Sequence, residues 1–364
     1  MHVLIAFDKF KDSLTAPEAC EIAAEALQQK QPDWQISQCP LTDGGEGFAA
    51  ILTRASRGQI QQQIVTGPHG APVNASFGIV TLSNIPSAAR RILDLPVGIA
   101  DTASIALIEM ATASGLALLC DEERDPWHTT SYGTGELINR AIELGAEAIL
   151  LGVGGSATND LGLGALNAMG LSFLDATGAS ISPPIPSTWA QIDTLTGTLP
   201  PNTPPIRIAC DVANPLLGSN GAAAIYGPQK GLLETDLPRM ETASERLAAL
   251  LCDHQDKPHA TMETPGAGAA GGIAFGLMTA AEARLLPGAD FVAAWLDVES
   301  HLAAADLVIT GEGRFDDSSL SGKGPGALAT RALALNKTAH VFAGQIDLVS
   351  APKNLQLHAI TPQE

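Results

Sequence analysis

The sequence predicts an α/β protein that carries parallel sheets in two domains. The chain opens and closes with the same alternation of short apolar runs and amphipathic helical stretches, which is typical of parallel sheets. Its 364 residues exceed the length of one typical domain, and a hydrophobic fraction of 45% allows substantial cores. We therefore expect one domain built from both chain ends and a second domain inserted between them.

The first domain begins with the apolar run from Val3 to Phe7, which suits a buried strand. Thr15 and Glu18 have the spacing of a capping box, so we expect a helix from there to about residue 31. Two further strands, at 34–39 and 60–65, complete a βαβαβ order.

The same pattern returns near the end of the chain. After Pro287 the sequence predicts a helix, a strand, a helix and a strand, at 291–304, 306–310, 326–334 and 340–344. We therefore assign 1–65 and 286–364 to one discontinuous, flavodoxin-like or Rossmann-like parallel-sheet domain.

The inserted α/β domain covers 66–285 and carries a glycine-rich loop with the sequence GGSATND. A hairpin is predicted at the turn 67–70, and an irregular loop at 84–98. The other predicted elements are strands at 105–110, 148–153 and 206–212, helices at 134–144 and 238–251, and loops at 181–205 and 253–264.

The glycine-rich loop follows the apolar strand at 148–153 and contains Gly154, Gly155, Ser156, Asn159 and Asp160. Glycines after a strand let the backbone approach a ligand and turn its N–H groups toward an anion. A phosphate with its metal ion would suit such a loop, with Asp160 holding the cation. The loop also fits a tight strand-to-helix turn with a capping acid.

A dinucleotide-binding fingerprint is a further interpretation of this loop. Gly152, Gly154 and Ala157 fit G-x-G-x-x-A, and Asp175 lies about 20 residues further on, as in that fingerprint. An NAD-dependent dehydrogenase of a small hydroxy acid therefore remains an alternative. A ligand-binding protein without catalysis is a third interpretation. Acidic residues at several predicted strand ends, described below, argue against it, because binding alone rarely requires many carboxylates near an anion.

Charge and cysteine content exclude several classes of protein. A net charge of −19 argues against nucleic acid or an anionic membrane as partner. The five cysteines are scattered without a C-x-x-C pair, so we expect reduced thiols and no structural zinc site. The first residues predict a strand rather than a signal peptide, which favours a cytoplasmic protein. We keep a monomer and a homodimer as the two alternatives for its oligomeric state.

Acidic residues recur where the predicted strands end, at the edge where parallel sheets bind ligands. The acids are Asp8, Asp43, Asp160, Asp211, Glu312 and Asp316, and the nearby cations are Lys11, Lys230, Arg314 and Lys323. Carboxylates can bind Mg²⁺ beside substrate phosphates, cations can stabilise a transferring phosphoryl group, and a carboxylate can accept a hydroxyl proton. The chain contains neither a P-loop motif nor a protein-kinase H-R-D motif.

These motifs together resemble the bacterial glycerate kinase family of the type with a flavodoxin-like domain. The matching segments occur in family order over nearly the whole chain: 8–14, 43–47, 130–136, 152–160, 210–216, 227–231, 265–272, 310–316 and 322–323. The resemblance implies Mg²⁺-dependent phosphorylation of D-glycerate by ATP, in a cleft between two α/β domains, with 2-phosphoglycerate as the product in many members and 3-phosphoglycerate as the alternative.

We assign hypothetical roles to the residues of these motifs. Asp8, Lys11, Asp43, Asp211 and Lys230 form the predicted catalytic set, with Asp211 or Asp43 as the base. The predicted nucleotide site comprises Gly154, Gly155, Ser156, Asn159, Asp160 and Lys323, and the metal ligands are Asp160 and Asp211. Arg314, with Glu312 and Asp316, is predicted to bind glycerate, because a guanidinium can pair with its carboxylate bidentately.

The sequence departs from the family pattern in two places. The loop at 84–98 is longer than the turn expected there, and the sequence ends at Glu364, where the family continues into another helix. Neither departure removes a motif.

Overall fold

A computed structural model of the chain describes residues 1–11, 13–42, 44–317, 319–321, 324–348, 350, 352 and 354–360. Its strands are β1 (His2–Phe7), β2 (Gln35–Gln38), β3 (Gln59–Thr66), β4 (Pro72–Thr81), β5 (Ser104–Glu109), β6 (Ala148–Gly152), β7 (Ser172–Leu174), β8 (Thr194–Thr196), β9 (Ile206–Ala209), β10 (Arg284–Leu286), β11 (Leu307–Asp316), β12 (Thr338–Asp347) and β13 (Leu355–Ala359).

The α-helices are α1 (Ala16–Lys30), α2 (Phe48–Ala55), α3 (Ser87–Leu93), α4 (Ala111–Ser114), α5 (Tyr132–Glu143), α6 (Leu163–Ala168), α7 (Ala222–Tyr226), α8 (Leu237–His254), α9 (Ala269–Ala281), α10 (Gly288–Trp295), α11 (Val298–Ala304) and α12 (Gly324–Ala334). Short 3-10 turns lie between several of them.

Contacts divide the chain into two compact units. Unit 1 comprises Met1–Asp43, Pro86–Ala89 and Ala289–Glu364, and unit 2 comprises Gly44–Ile85 and Arg90–Gly288. The predicted α/β fold class is confirmed, since each unit contains helices and a sheet with parallel strands.

Unit 1 contains a five-stranded sheet in the order β13-β12-β11-β1-β2, with every neighbouring pair parallel. In chain order along unit 1 this is 5-4-3-1-2, the strand order of flavodoxin-like folds. The order reverses between β1 and β11, so the loops after these two strands flank the position where such sheets bind ligands. Helix α1 begins at the predicted capping box, in which the side chain of Thr15 accepts from the N–H of Glu18.

Unit 2 contains a six-stranded sheet in the order β10-β9-β6-β5-β4-β3. The pairs from β10 to β5 are parallel, whereas β5–β4 and β4–β3 are antiparallel. A hydrophobic cluster that includes Leu151 of β6, Leu137 of α5 and Phe275 of α9 packs on one side of this sheet. Strands β7 and β8 form a separate antiparallel pair.

The predicted first domain of 1–65 assigned β3 to the wrong sheet. Strand β3 lies where it was expected in the sequence but pairs antiparallel with β4 in unit 2, and the contacts divide the chain after Asp43. The cause is the turn at 67–70, where the N–H of Gly67 donates to the carbonyl of Ala71 (2.7 Å). This turn folds β4 directly back onto β3, whereas a parallel partner would need a crossover connection.

Two expected elements also differ in detail. The irregular loop at 84–98 contains α3, and the single helix at 291–304 is two helices, α10 and α11. Asp297 separates these two helices because its backbone is left-handed, with φ of 48°. That conformation cannot continue an α-helix.

Helix α9 begins with an unusual backbone that brings it close to the glycine-rich loop. Ala270, Gly271 and Gly272 have φ values of 52°, 71° and 90°. The carbonyl of Gly271 accepts from the N–H of Leu161 (3.0 Å), and a Cβ at Gly271 would overlap the carbonyl oxygen of Thr158. Glycine is therefore required here by both the backbone conformation and the close approach.

We expect Gly271→Ala to destabilise the protein more than Gly178→Ala. Both glycines have positive φ, 71° and 83°, but a Cβ at Gly178 meets no atom within 4 Å. Gly178→Ala therefore costs backbone strain of about 1–2 kcal/mol, whereas Gly271→Ala adds a collision with the backbone of the loop. Urea unfolding of both variants measures the difference, and equal losses would show that the loop moves aside freely.

Candidate active site

Two glycine-rich turns meet at the end of β6. The N–H of Gly154 donates to the carbonyl of Gly44 (3.2 Å). A Cβ at Gly152 would lie 2.7 Å from the oxygen of Gly44, and one at Gly154 would lie 2.6 Å from the Cα of Gly45. Side chains are therefore excluded where the turn at 44–47 packs against the end of β6.

The loop that follows is fixed on its other side by residues after β5. Gly155 accepts from the N–H of Leu116 (2.8 Å), and the N–H of Ala157 donates to the carbonyl of Ser114 (2.9 Å). Gly155 itself has φ of 71°, a conformation that glycine adopts without strain. The backbone of this loop is thus determined by pairing with other segments, and α6 starts only at Leu163.

Lys230 is buried beside the loop and donates hydrogen bonds to two of its residues. The ammonium donates to the hydroxyl oxygen of Ser156 (2.8 Å) and to the carbonyl oxygen of Thr158 (2.7 Å), and the residue is 1% exposed. Burial lowers the pKa of Lys230 to about 7, and attraction to Asp160 opposes that shift. The next residue, Gly231, has φ of 92° and contacts the backbone of Arg124 closely.

Asp160 is a fully buried acceptor at the end of the loop. Its Oδ2 accepts from the N–H (2.7 Å) and the hydroxyl (2.7 Å) of Ser131 and from the N–H of Gly164 (3.3 Å), and its Oδ1 accepts from the N–H of Gly162 (3.1 Å). Burial raises the pKa of Asp160, while these hydrogen bonds oppose the shift. The carboxylate joins the first turns of α5 and α6, and its exposed fraction is zero.

Two polar atoms of the same loop are buried without a hydrogen-bond partner among the described residues. They are the hydroxyl oxygen of Thr158 and the side-chain carbonyl oxygen of Asn159, on residues that are 0% and 1% exposed. Buried polar groups are almost always hydrogen-bonded. Such atoms beside a glycine-built turn are therefore candidates for contact with a bound ligand.

Acidic side chains lie on both sides of the end of β6. On one side, Glu109 at the end of β5 pairs in register with Gly152. On the other side, Gly152 pairs with Ala209 of β9, and Asp211 lies two residues after Ala209. Glu109 is 3% exposed, and its Oε2 accepts from the N–H of Ala49 (3.4 Å). Asp211 is half-buried, and a Cβ at Gly288 would lie 3.1 Å from its Oδ2.

Glu109 is not among the site residues predicted from the sequence, although it lies beside Gly152 at the start of the glycine-rich loop. It interrupts an apolar stretch, and that is the signal that could have identified it. A buried acid needs a hydrogen-bond or ionic partner. The carboxyl end of a parallel strand is also where such sheets bind ligands.

The site residues predicted in unit 1 collect where its strand order reverses. Asp8 follows β1, and its N–H donates to the carbonyl of Gly311 (2.9 Å). A Cβ at Gly313 would lie 3.3 Å from the backbone nitrogen of Lys11, so the loop after β1 covers β11. Glu312, Arg314 and Asp316 alternate along β11 and therefore share one face of the sheet.

Arg314 is held by two carboxylates on this face. Its Nε lies 2.9 Å from Asp347 Oδ2 and 3.7 Å from Asp316 Oδ2, and 63% of its side chain is exposed. Asp43 and Lys323, the other two predicted site residues, lie outside the described residues.

The structure separates the elements that a dinucleotide fingerprint needs. Asp175 would have to follow the second parallel strand of a βαβ unit. Instead it follows β7 of the small antiparallel pair and is half-buried, and its Oδ1 accepts from the N–H groups of Thr177 (2.8 Å) and Ala179 (2.9 Å). The acid of the G-x-G-x-x-A interpretation is therefore a turn residue.

Within the described part of the chain, no three His, Cys, Asp or Glu side chains are grouped in a way that could hold a metal ion. The same described residues contain no helix with the length and apolar character needed to cross a membrane.

Comparison with known proteins identifies relatives over almost the full length of the chain. The model of the glycerate kinase family matches residues 3–362. A glycerate 2-kinase from Escherichia coli K12 is 39% identical over 350 residues, which cover 95% of this chain and 86% of that protein. A glycerate kinase from Bacillus subtilis 168 is also 39% identical, over 95% of this chain and 85% of its own length.

A solved structure agrees with these relatives. A crystal structure attributed to glycerate kinase 2 from Salmonella typhimurium LT2 matches with a TM-score of 0.75 at 36% identity, covering 96% of this chain and 90% of that one. The resemblance seen in the sequence motifs is thereby confirmed, and this chain is a kinase that belongs to the glycerate kinase family.

Proposed function

We propose that this kinase transfers the γ-phosphoryl group of ATP to the 2-hydroxyl of D-glycerate, with Mg²⁺, in the cytoplasm. The binding of ATP in this proposal rests mainly on the glycine-rich loop after β6. Its turn excludes side chains, its backbone is fixed by neighbouring segments, and it contains the unpaired polar atoms of Thr158 and Asn159. Such a loop offers fixed N–H groups to phosphate oxygens.

The loop residues fit a nucleotide that binds through its phosphates. Gly154 and Gly155 would let the phosphates approach the backbone, and Ser156 and Asn159 would contact their oxygens. Glycerate kinase family membership and the name of the Escherichia coli relative support glycerate as acceptor and its 2-hydroxyl as the phosphorylated group. Positioning and charge stabilisation by the chain are the main contributions in phosphoryl transfer.

Asp211 is the proposed metal ligand and base of unit 2. Mg²⁺ usually takes one or two protein carboxylates and completes its coordination with water and substrate phosphates, so a three-residue cluster is not required. When bound, the ion would neutralise charge on the β- and γ-phosphates. The carboxylate of Asp211 is half-buried at the end of a parallel sheet and can accept the proton of the acceptor hydroxyl.

The structure suggests a different role for Asp160 from metal binding. Both its oxygens already accept from buried donors, and none of its surface is exposed. We therefore propose that Asp160 positions the loop by joining it to α5 and α6. Lys230, which binds the loop through Ser156 and Thr158, has the same role and adds positive charge beside it.

Arg314, with Glu312 and Asp316, remains the proposed binding site for glycerate in unit 1. Arg314 lies between Asp316 and Asp347 with most of its side chain exposed, which is suited to a carboxylate ligand. Asp8, Lys11 and Glu312 accompany it at the position where the strand order reverses.

Phosphorus NMR of the product tests the proposed function. We expect 2-phosphoglycerate and ADP in equal amounts from ATP, Mg²⁺ and D-glycerate, and neither without D-glycerate or Mg²⁺. Formation of 3-phosphoglycerate would overturn the assigned hydroxyl. ADP release that does not depend on glycerate would overturn the function.

We expect Asp211→Asn to lower kcat by about 10²-fold or more, because the amide cannot accept the hydroxyl proton. The melting temperature should change little, since the side chain is half-buried at the sheet edge. Glu234→Gln, at an exposed acid on the surface of the same unit, is the matched control and should leave both quantities unchanged. A variant that unfolds would show that Asp211 is structural.

The buried ammonium of Lys230 predicts a pH-dependent contribution to stability. Its pKa is about 7 in the folded protein, against 10.5 ordinarily, so the unfolded chain binds more protons between these values. The free energy of unfolding of the wild type relative to Lys230→Met should therefore rise between pH 7 and 10.5, by at most about 1.4 kcal/mol per pH unit. Urea titrations across this range measure the slope.

Lys30→Met, at the exposed end of α1, is the control for loss of one surface charge. If the difference between wild type and Lys230→Met is flat over this pH range, the ammonium keeps its ordinary proton affinity and is not buried as described.

A further inference from the structure

Strand β3 is an open edge of the unit 2 sheet and is unusually free of charge. It runs for eight residues, with the sequence QIQQQIVT, at the end of the sheet order. Its even-numbered residues share one face, on which Ile60 and Ile64 are 39% and 70% exposed and Gln62 is exposed between them. Natural edge strands of this length usually carry a charge or a proline that blocks further pairing.

The hydrogen-bond pattern shows which backbone groups face outward. The N–H of Gly67 donates to the carbonyl of Ala71, so this pair is bonded, and bonded pairs then recur at every second residue along the hairpin. The odd-numbered residues of β3 therefore bond to β4. The N–H and carbonyl groups of Ile60, Gln62, Ile64 and Thr66 point away from the sheet.

Two of these outward groups have intramolecular partners. The N–H of Thr66 donates to Glu136 Oε2 (2.6 Å), which closes one end of the edge. The side-chain amide of Gln63 donates to the carbonyl of Ile64 at 3.3 Å, a long contact that a strand-to-strand bond would replace. A partner strand would therefore centre on the segment from Ile60 to Ile64.

We propose that β3 pairs with β3 of a second copy of this chain, antiparallel about a two-fold axis at Gln62, to form a homodimer with one continuous sheet. This register places Ile60 of each copy opposite Ile64 of the other. The two resulting pairs remove the exposed isoleucine side chains from solvent. It also makes Gln62 a bonded pair with its own symmetry mate, as the outward direction of its backbone requires. Thr66 lies beyond the bonded segment, and its bond to Glu136 can remain.

Charge favours a second copy at this edge. The net charge of −19 makes most approaches between two copies repulsive, whereas neither β3 nor β4 contains a charged residue. The same register brings the exposed Arg57, two residues before β3, toward the end of the partner strand where Glu136 lies. Pairing about a two-fold axis occupies the β3 edge of both copies, so the assembly stops at a dimer.

Disulfide trapping of Gln62→Cys tests the register. Residues opposite each other in a bonded antiparallel pair have Cα atoms about 5.5 Å apart, within the range of a disulfide. Gln59→Cys is the matched control on the same exposed strand, because its two copies would be about 20 Å apart in this register. Under mild oxidation we expect a covalent dimer from Gln62→Cys and only the wild-type background from Gln59→Cys.

Light scattering after size exclusion tests the dimer itself. We expect twice the chain mass of 37.5 kDa for the wild type. Ile64→Lys should raise the dimer dissociation constant by at least about tenfold, because the change occurs at two places in the interface. Ile22→Lys, at a 54% exposed isoleucine of α1, should leave the dimer unchanged.

Three results would overturn the proposal. A wild type that is monomeric at about 100 μM has no such interface. Equal cross-linking of the two cysteine variants contradicts the register. A dimer that Ile64→Lys does not weaken uses another surface.

Discussion

The backbone around the end of β6 depends on one constraint. Three glycine-rich segments approach one another there without side chains between them. The turn at 44–47 packs on the end of β6, and Gly271 packs on the loop that follows. The approach fixes where the N–H groups of the loop lie, and this position is what phosphate binding would require. Binding geometry is here a consequence of packing between backbones.

Close packing leaves polar groups that must be satisfied from within the protein. Lys230 does this at Ser156 and Thr158 of the loop, and Asp160 does it at the first turns of α5 and α6; both residues are almost fully buried. Burial disfavours the charge of each, and each is compensated by hydrogen bonds to the loop or to the helices beside it. The loop is therefore held at a cost in stability, which is the usual relation between a preorganised site and its scaffold.

Much of the fold could be predicted from local patterns. The capping box of α1, the hairpin turn at 67–70 and the buried strands β1 and β6 are encoded within a few residues each. The sheet to which β3 belongs could not be predicted in this way, because it depends on which strand lies beside it in space. The hydrogen bond between Ser131 and Asp160 shows the same limit, since the two residues are 29 positions apart in the chain. A buried acceptor and a metal ligand look alike in sequence and differ only in their surroundings.

The strand order of unit 1 has a consequence for how the protein is made. Strand β1 needs β11 beside it, and Val3 pairs with Leu307. At about 5–20 residues per second, a ribosome takes roughly 15–60 s to produce the intervening chain. During that time the apolar sequence of β1 leaves the ribosome with α1 and β2 as neighbours but without β11, while unit 2, whose residues all precede β11, can already fold. Nascent chains of this protein are thus exposed to aggregation at their N-terminal strand, and this strand is where a chaperone would be needed.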